Sequence, residues 1–593
     1  MYILGLNAYH ADSSAAIFKD GILIAATEEE RFRRVKHWAG FPSEAIQFCL
    51  REAGITLAEV DHIAIGRDPK AKFWKKIGFL LRYPTVGLDT VLSRLKNAQQ
   101  VSALEREFAN MDGTVPEAEI RRKIHQVEHH RSHLASAFFA SPFEEAAVLS
   151  IDGSGDFTTT MLGVGKGNQI TVLDSVDFPH SVGIFYTAFT QLLGFPHYGD
   201  EYKVMGLAPY GQPTRVEDLR KVLVFKPNGL FELNLDYFRA TKSGVVTYDS
   251  DHVPQVATLF SDKMAREFGP VRQKDEPLTQ AHKDLAASVQ RITEELIFHL
   301  LNHLQQRTGL KKVCIAGGVA QNSVANGKIT RNTGFTEVYI PSAGHDAGIS
   351  MGAALYTYNH TLKQDRKPAI WSAYTGSRYS NETIEAYLKS QGIAYQRMED
   401  DQLYEHVANR LVNAGVVGWF SGRAEFGPRA LGARSILADP RRNDAKDLLN
   451  AKIKRRESFR PFAPSILSEY VSEYFELDEL TPFMERVFPI REEKRASIPA
   501  VTHADGSGRL QSVLQSEAPR YHRLIETFRQ KTGVPILLNT SFNENEPIVN
   551  SPEEALACYL RTSMDMLVLE NCVVERLPVE KSPAPLKFAG GKP

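Results

Sequence analysis

The sequence predicts an α/β protein of two large domains, the first built from two similar lobes. Three observations carry this expectation. A strand, a polar loop and a hairpin follow one another near the N-terminus and again from Ala146. Apolar runs at 313–316 and 337–340 end in glycine-containing turns that lead into helical patterns, as in sheets whose strands alternate with helices. A polar stretch from Asn359 to about Asn381, with Pro368 and little periodicity, separates a second half with strand patterns of its own. The expected division is 1–360 for the first domain, 361–381 for a linker and 382–593 for the second domain with a C-terminal tail.

A chain of 593 residues is too long for one core. Its 70 Lys and Arg balance 71 Asp and Glu, so no long-range field draws nucleic acid or an anionic membrane, and neither is expected as a partner. Cys49, Cys314, Cys558 and Cys572 are scattered, form no CxxC pair and read as reduced core thiols. The N-terminus lacks a basic n-region, and no run approaches the roughly eighteen apolar residues of a membrane span. A soluble, cytoplasmic protein is expected, with room for a homodimer.

In chain order, Tyr2 to Leu6 reads as a strand. A polar loop with His10, Asp12, Ser13 and Ser14 follows, then two strands joined at Asp20-Gly21, a strong hairpin signal. The mixed-charge run Glu28 to His37 reads as a solvated helix face, with Arg34 and Lys36 kept in view by their place beside the His10 hairpin. Residues 67 to 128 look like inserted helices.

Glu128 to Asp156, EHHRSHLASAFFASPFEEAAVLSIDGSGD, is the stretch around which the chain is organised. A helix from Glu128 to Phe139 puts His129 and His133 on one face, one turn apart. The strand Ala146 to Ile151 then ends at Asp152 and opens into Gly153-Ser154-Gly155-Asp156. Two imidazoles facing a carboxylate at a strand end is a common way to build an N/O site for a divalent metal. The same histidine spacing occurs on solvated helices, but the adjacent His130, the strand-capping Asp152 and a later aspartate, Asp346, favour a metal. The strand, Gly-rich loop and hairpin after Ala146 repeat the N-terminal plan. Such a duplication is the signature of the actin-like architecture, two lobes around a nucleotide cleft.

Further along, His180 to Gly211 combines a helix with a loop containing Asp200, Glu201, Lys203 and Gly206, a weak ligand-cradle signal. Lys311 to Lys328 is stronger: a buried strand ends at Gly317-Gly318, and a helix carrying Gln321, Asn322 and Asn326 begins. A nucleotide can approach such a backbone, although an ordinary tight turn has the same residues. Asp346 follows the next strand, in a loop placed like that of Asp152. In the second domain, ten Lys or Arg against four Asp or Glu lie between Arg429 and Arg460. Interruption by Gly and Pro lets several of them converge on one polyphosphate. Pro535 to Asn543 reads as a buried strand ending in Thr540, Ser541 and Asn543, which suit phosphate or ribose oxygens.

Taken together, LNAYHADSSAA, EERFRRVKH, HHRSHLASAF, SIDGSGD, EYKVMGLAPYG, AGGVAQNSVANGK, GHDAG, EFGPRALGARSIL, FRPFAPS and NTSFN resemble the NodU/CmcH/TobZ family of O-carbamoyltransferases, in order and over almost the whole chain. The resemblance implies an ASKHA-type, actin-like first domain similar to TsaD and a YrdC-like second domain. It implies that carbamoyl phosphate and Mg-ATP form carbamoyl-adenylate in the second domain, and that the first domain passes the carbamoyl group to a hydroxyl of a small-molecule acceptor. Carried over, His129, His133, Asp152 and Asp346 are metal ligands, with iron(II) the metal; the ligand types also suit manganese or zinc. His10 acts at the acceptor hydroxyl as general base with Lys36 near it. Arg429, Arg434, Lys454, Arg460, Arg509, Thr540, Ser541 and Asn543 hold carbamoyl phosphate and the ATP phosphates, and Lys203, Gly206, Gly317, Gly318 and Asn322 hold the adenylate. Three competing readings are a tRNA threonylcarbamoylation enzyme, which needs a basic footprint; a sugar kinase, which accounts for the first domain only; and a non-catalytic sensor of ATP or carbamoyl phosphate, which needs no base.

Overall fold

The computed structural model describes residues 1–83 and 103–576. Part of the expected helical insertion, 84–102, and the tail from 577 lie outside the described residues.

The first lobe carries a five-stranded sheet of β1 (Tyr2–Asn7), β2 (Ser14–Lys19), β3 (Ile22–Glu28), β4 (His62–Ile65) and β5 (Ile124–Gln126) in the order β3-β2-β1-β4-β5. The hairpin strands run antiparallel, whereas β1, β4 and β5 run parallel. The second lobe repeats this. Its β6 (Glu145–Gly155), β7 (Thr158–Lys166) and β8 (Gln169–Asp177) form the meander, and the strands Lys312–Ala316 and Glu337–Tyr339 extend it in parallel beside β6. Strand order and sense are those of the first lobe, so the duplicated actin-like plan is the observed one.

Helices His129–Phe138 and Ile349–Leu355 pack against each other where the lobes meet. Glycine makes this approach close. A Cβ on Gly352 would lie 1.9 Å from the Ser132 carbonyl oxygen, and one on Gly5 of β1 would lie 1.9 Å from that of Ser350. The helix bearing the histidines is thereby wedged between the sheets, with His129, His130 and His133 all buried.

The second domain is built on a nine-stranded sheet. Its order is Gln396–Arg397, Cys572–Glu575, Met566–Leu569, Val417–Phe420, Arg434–Ala438, Ile536–Ser541, Ala463–Leu467, Ser507–Val513 and Arg486–Pro489. It sits directly on the first domain. Arg34 donates to the carbonyls of Ile548 and Pro547 at 2.8 and 2.6 Å, and a Cβ on Gly327 would meet the Val487 carbonyl at 1.8 Å. Between 362 and 380 the chain has no helix, yet Arg366 donates to the Phe138 and Ser141 carbonyls and Tyr374 to that of Leu431, so it is held to both domains.

Four local expectations fail for physical reasons. The run 28–37 is not a solvated face: Glu28, Glu29 and Arg31 are buried because they meet the second domain and helix Ser43–Ala53. The EYKVMGLAPYG segment is helical from Glu201 to Leu207, since Val204 and Leu207 bury on one side and Gly206 tolerates the helix. The strand β6 continues past Asp152 to Gly155 through a bulge, so Gly153 to Gly155 is not a free loop. The helix after Gly318 is short, Ser323–Asn326. All four cysteines are free and buried, and no described helix is long and apolar enough to cross a membrane.

Candidate active site

Four buried side chains converge between the lobes. His129 Nε2 lies 3.0 Å from Asp152 Oδ2 and 3.6 Å from Asp346 Oδ1; His133 Nε2 lies 3.6 and 3.3 Å from the same atoms. Metal bonds of about 2.0–2.2 Å set neighbouring ligand atoms roughly 3.0–3.5 Å apart, so the spacing already fits one ion. Two observations agree. His133 Nε2 and Asp346 Oδ1 are buried without a hydrogen-bond partner. Burial disfavours a charged imidazole at His133, but Asp152 and Asp346 outweigh it and raise its pKa to about 9, so the two carboxylates draw positive charge to this point.

The backbone fixes the ligands. Asp156 Oδ2 accepts the His129 N–H at 3.0 Å at the start of the histidine helix, and the Gly318 N–H donates to Asp152 Oδ1 at 2.8 Å. Gly155 backs the His129 ring so closely that a Cβ there would lie 2.1 Å from it. His130 turns away, its ring bonded to Ser150 Oγ and the Thr158 carbonyl, so it serves the fold and not the cluster. His10 Nδ1 sits 2.8 Å from Asp346 Oδ2, and the His10 ring is 5.2 Å from that of His129. Burial works against the His10 imidazolium, but Asp346 holds its pKa above the ordinary value.

A cavity of about 930 Å³ runs from this cluster to the second domain. At the first-domain end it is lined by His10, Asp152 and Asp346, and Lys36 opens into its middle. At the far end stand Arg429, Arg456, Arg460 and Arg509, with Thr540, Ser541 and Asn543. Burial and repulsion from neighbouring arginines depress three of them: Arg509 falls well below the ordinary value, Arg429 to about 10 and Arg456 to about 9. Burial lowers Lys36 too, with Arg460 and Lys203 adding to it against Glu30. Cations crowded in this way are stabilised by a bound polyanion.

Several sequence candidates do something else. Arg434 is wholly buried and does not line the cavity. Its guanidinium donates to the carbonyls of Gly422, Ala433 and Ser377 and stacks 3.6 Å over Phe420. Lys454 borders the cavity, but its Nζ lies 2.6–3.2 Å from four oxygens of Ser541 and Asn543, more than three protons can serve, so it anchors that loop. Lys203 is taken by Asp200 at 2.8 Å and Glu457 at 3.5 Å. Gly317, at φ +102, is required by its turn, where a Cβ would strike the Ile151 carbonyl at 2.2 Å, and it does not face the cavity. Gly206, Gly318 and Asn322 do line it, although the Gly318 N–H is spent on Asp152 and the Asn322 amide caps its helix and bonds Gln290.

The sequence reading also passed over residues. Arg456 lay inside the counted basic run, and only the fold distinguishes it from Arg455, which pairs with Glu544. Asp12 and His37 form a 2.7 Å pair beside Glu30 on the cavity wall, and Tyr198 packs on the His37 ring. Glu28 accepts the Gly427 N–H at 2.8 Å while Arg31 donates to the Gly427 carbonyl at 3.0 Å, clamping the loop that carries Arg429 from the opposite domain. Burial raises Glu28 to about 7 despite Arg31.

The comparisons with known proteins agree with this arrangement. Residues 2–355 match the family described as Carbamoyltransferase N-terminus, and residues 408–576 match Carbamoyltransferase C-terminus. The uncharacterized protein sll1178 of Synechocystis is 43% identical over 97% of this chain and 97% of its own length. The nodulation protein NolNO of Sinorhizobium fredii is 38% identical over 96% of this chain and 80% of that protein, and NolO of Bradyrhizobium diazoefficiens is 40% identical over 76% and 79%. With both family regions matched over most of its length, the chain belongs to the carbamoyltransferases.

Proposed function

We propose that this carbamoyltransferase works in two steps at the two ends of its cavity, and that it modifies a hydroxyl of a small molecule. The observation that carries the reading is the single cavity joining the arginine cluster to His10. In the first step water cleaves carbamoyl phosphate to carbamate and phosphate. A carbamate oxygen then attacks the α-phosphorus of ATP; the bond to the β-phosphate breaks, and pyrophosphate leaves. Arg429, Arg456, Arg460 and Arg509 lower the cost of bringing these anions together, while Lys454 holds the Ser541–Asn543 loop against them.

In the second step the acceptor oxygen attacks the carbamoyl carbon and AMP departs. His10 is placed to take the hydroxyl proton, and Asp346 stabilises the imidazolium that results. Lys36 and His37 on the cavity wall offer positive charge to the departing AMP. His129, His133, Asp152 and Asp346 would hold the metal, iron(II) on the resemblance, with manganese or zinc equally suited by ligand type. Such an ion supplies Lewis acidity for a carbonyl oxygen. Because the intermediate is easily hydrolysed, passage within one cavity also limits its contact with bulk water. The test is exchange of labelled pyrophosphate into ATP. Exchange that needs carbamoyl phosphate and is lost in Arg460→Ala supports the reading; exchange independent of either sinks it.

A further inference from the structure

Helix Phe73–Arg82 carries an apolar surface that no described residue covers completely. Among the described residues nine large hydrophobic side chains are exposed, and four of them, Phe73, Trp74, Leu80 and Leu81, stand on these ten residues. Such clustering marks a binding surface. The helix has two stripes. Phe73, Ile77 and Leu80, at spacing i, i+4 and i+7, line the cavity that holds His10 together with Phe79 and Lys76, whose Nζ donates to the Pro69 carbonyl at 3.0 Å, whereas Trp74 and Leu81 lie outside it, each 79% exposed. Between them Phe79 is buried against Phe157 and Phe178 and anchors the helix.

The placement is fixed at the preceding turn. Asp156, which caps the histidine helix, also accepts the Asp68 N–H at 2.8 Å, and Arg67 donates to the Tyr9 carbonyl at 2.8 Å. Lys72 then pairs with Asp177 at 2.9 Å. The apolar stripe is thus tied by short bonds to the same segments that carry His10 and His129. Val246 and Val256, from the hairpin Val246–Tyr248 with Pro254–Val256, add apolar lining to the same cavity.

We infer that the first-domain end of the cavity contains an apolar subsite, formed by Phe73, Ile77 and Leu80, which takes an alkyl or aryl group of the acceptor while its hydroxyl lies at His10. The acceptor is therefore an amphiphile. This rests on the O-carbamoyl transfer reading for the identity of the occupant, and commits the inner stripe to that occupant because it is continuous with the reaction centre. A membrane surface would instead use the outer stripe.

The test uses the full chain and n-alkyl β-glucosides from butyl to decyl, below their micellar concentrations, with binding followed calorimetrically in the absence of nucleotide. Saturable one-to-one binding is expected to tighten about two- to fourfold per methylene until the subsite is filled. Phe73→Ser combined with Leu80→Ser should weaken decyl glucoside at least tenfold, and Ile77→Asn alone by several fold, with melting temperatures unchanged. Trp74→Ser with Leu81→Ser should bind as the parent does. Absence of saturable binding, absence of chain-length dependence, or equal loss in the outer-stripe variant overturns the proposal. So does binding to phosphatidylcholine vesicles that needs Trp74 and Leu81 while the glucosides show no gain with length. Pyrophosphate exchange is measured separately, so a failure of the two-step reading is told apart from a failure of the subsite.

Discussion

Gly155→Ala would test whether the histidine–aspartate cluster is a metal site held by its backing. The new Cβ would lie 2.1–2.4 Å from three atoms of the His129 ring, where ordinary carbon contacts begin near 3.5 Å. The ring must therefore retreat by about 1.2 Å, whereas a metal ligand tolerates roughly 0.2 Å. Helix His129–Phe138 is wedged against Ile349–Leu355 with glycine contacts on its far side, so the backbone has little room to follow. Overpacking of this kind costs about 1–3 kcal/mol of stability. Metal affinity should fall at least 10- to 100-fold, the scale seen when ligand support is lost. The assay is metal content per chain after dialysis against a buffered series of free metal, with circular dichroism and Tm showing that the fold persists. Parent-like metal affinity in a folded Gly155→Ala protein would refute the argument that His129 is a ligand placed by this contact.

The cavity-facing Arg460 and the buried Arg434 should part company. Arg460→Ala is expected to lose about 2–4 kcal/mol of transition-state stabilisation in pyrophosphate exchange with little change in Tm. Arg434→Ala should instead destabilise the protein by about 3 kcal/mol, because it strips donors from several buried carbonyls, and a lowered urea midpoint would show it. Arg31→Met should slow exchange tenfold or more by releasing the Gly427 clamp and the adjoining Arg429, with partial recovery in Arg31→Lys; unchanged exchange would remove Arg31 from any positioning role. At His37, burial favours the neutral ring but Asp12 prevails and raises the pKa to about 9. A raised pKa stabilises the fold fully below the unfolded value near 6.5 and is lost as pH rises through about 9. Titration of the His37 ring by NMR should show that value, and Asp12→Asn should bring it down; a parent titration near 6.5 would contradict the pair.

How much of this was legible depended on whether the signal was local. The duplicated hairpins and the four-residue spacing of His129 and His133 are short-range patterns, and the folded chain preserves both. Asp152 and Asp346 were legible because each follows the apolar part of a parallel strand, although β6 runs on past Asp152 through its bulge. Domain contact was not legible. Glu28 and Arg31 read as solvated because charge runs usually are, and only Gly427, some 400 residues away, explains their burial. The basic run likewise hid a division of labour. Arg434 opens a strand buried along its whole length, Arg441 and Arg442 pair with Asp439 and Asp444, and Arg456 and Arg460 face the cavity. Residues 201–207 read as a loop because charged groups and flexible glycine stand together there, yet they form a helix that buries Val204 and Leu207.

The central claim is that the two half-reactions occupy opposite ends of one cavity. His10→Ala tests it most directly, assayed in parallel for carbamoyl-phosphate-dependent exchange of labelled pyrophosphate into ATP and for carbamoyl transfer from preformed carbamoyl-adenylate to an acceptor hydroxyl. The account predicts exchange at close to the parent rate and transfer reduced by about 10²–10⁴-fold, the usual contribution of a general base. Loss of exchange in His10→Ala, with transfer from the preformed intermediate intact, would contradict it.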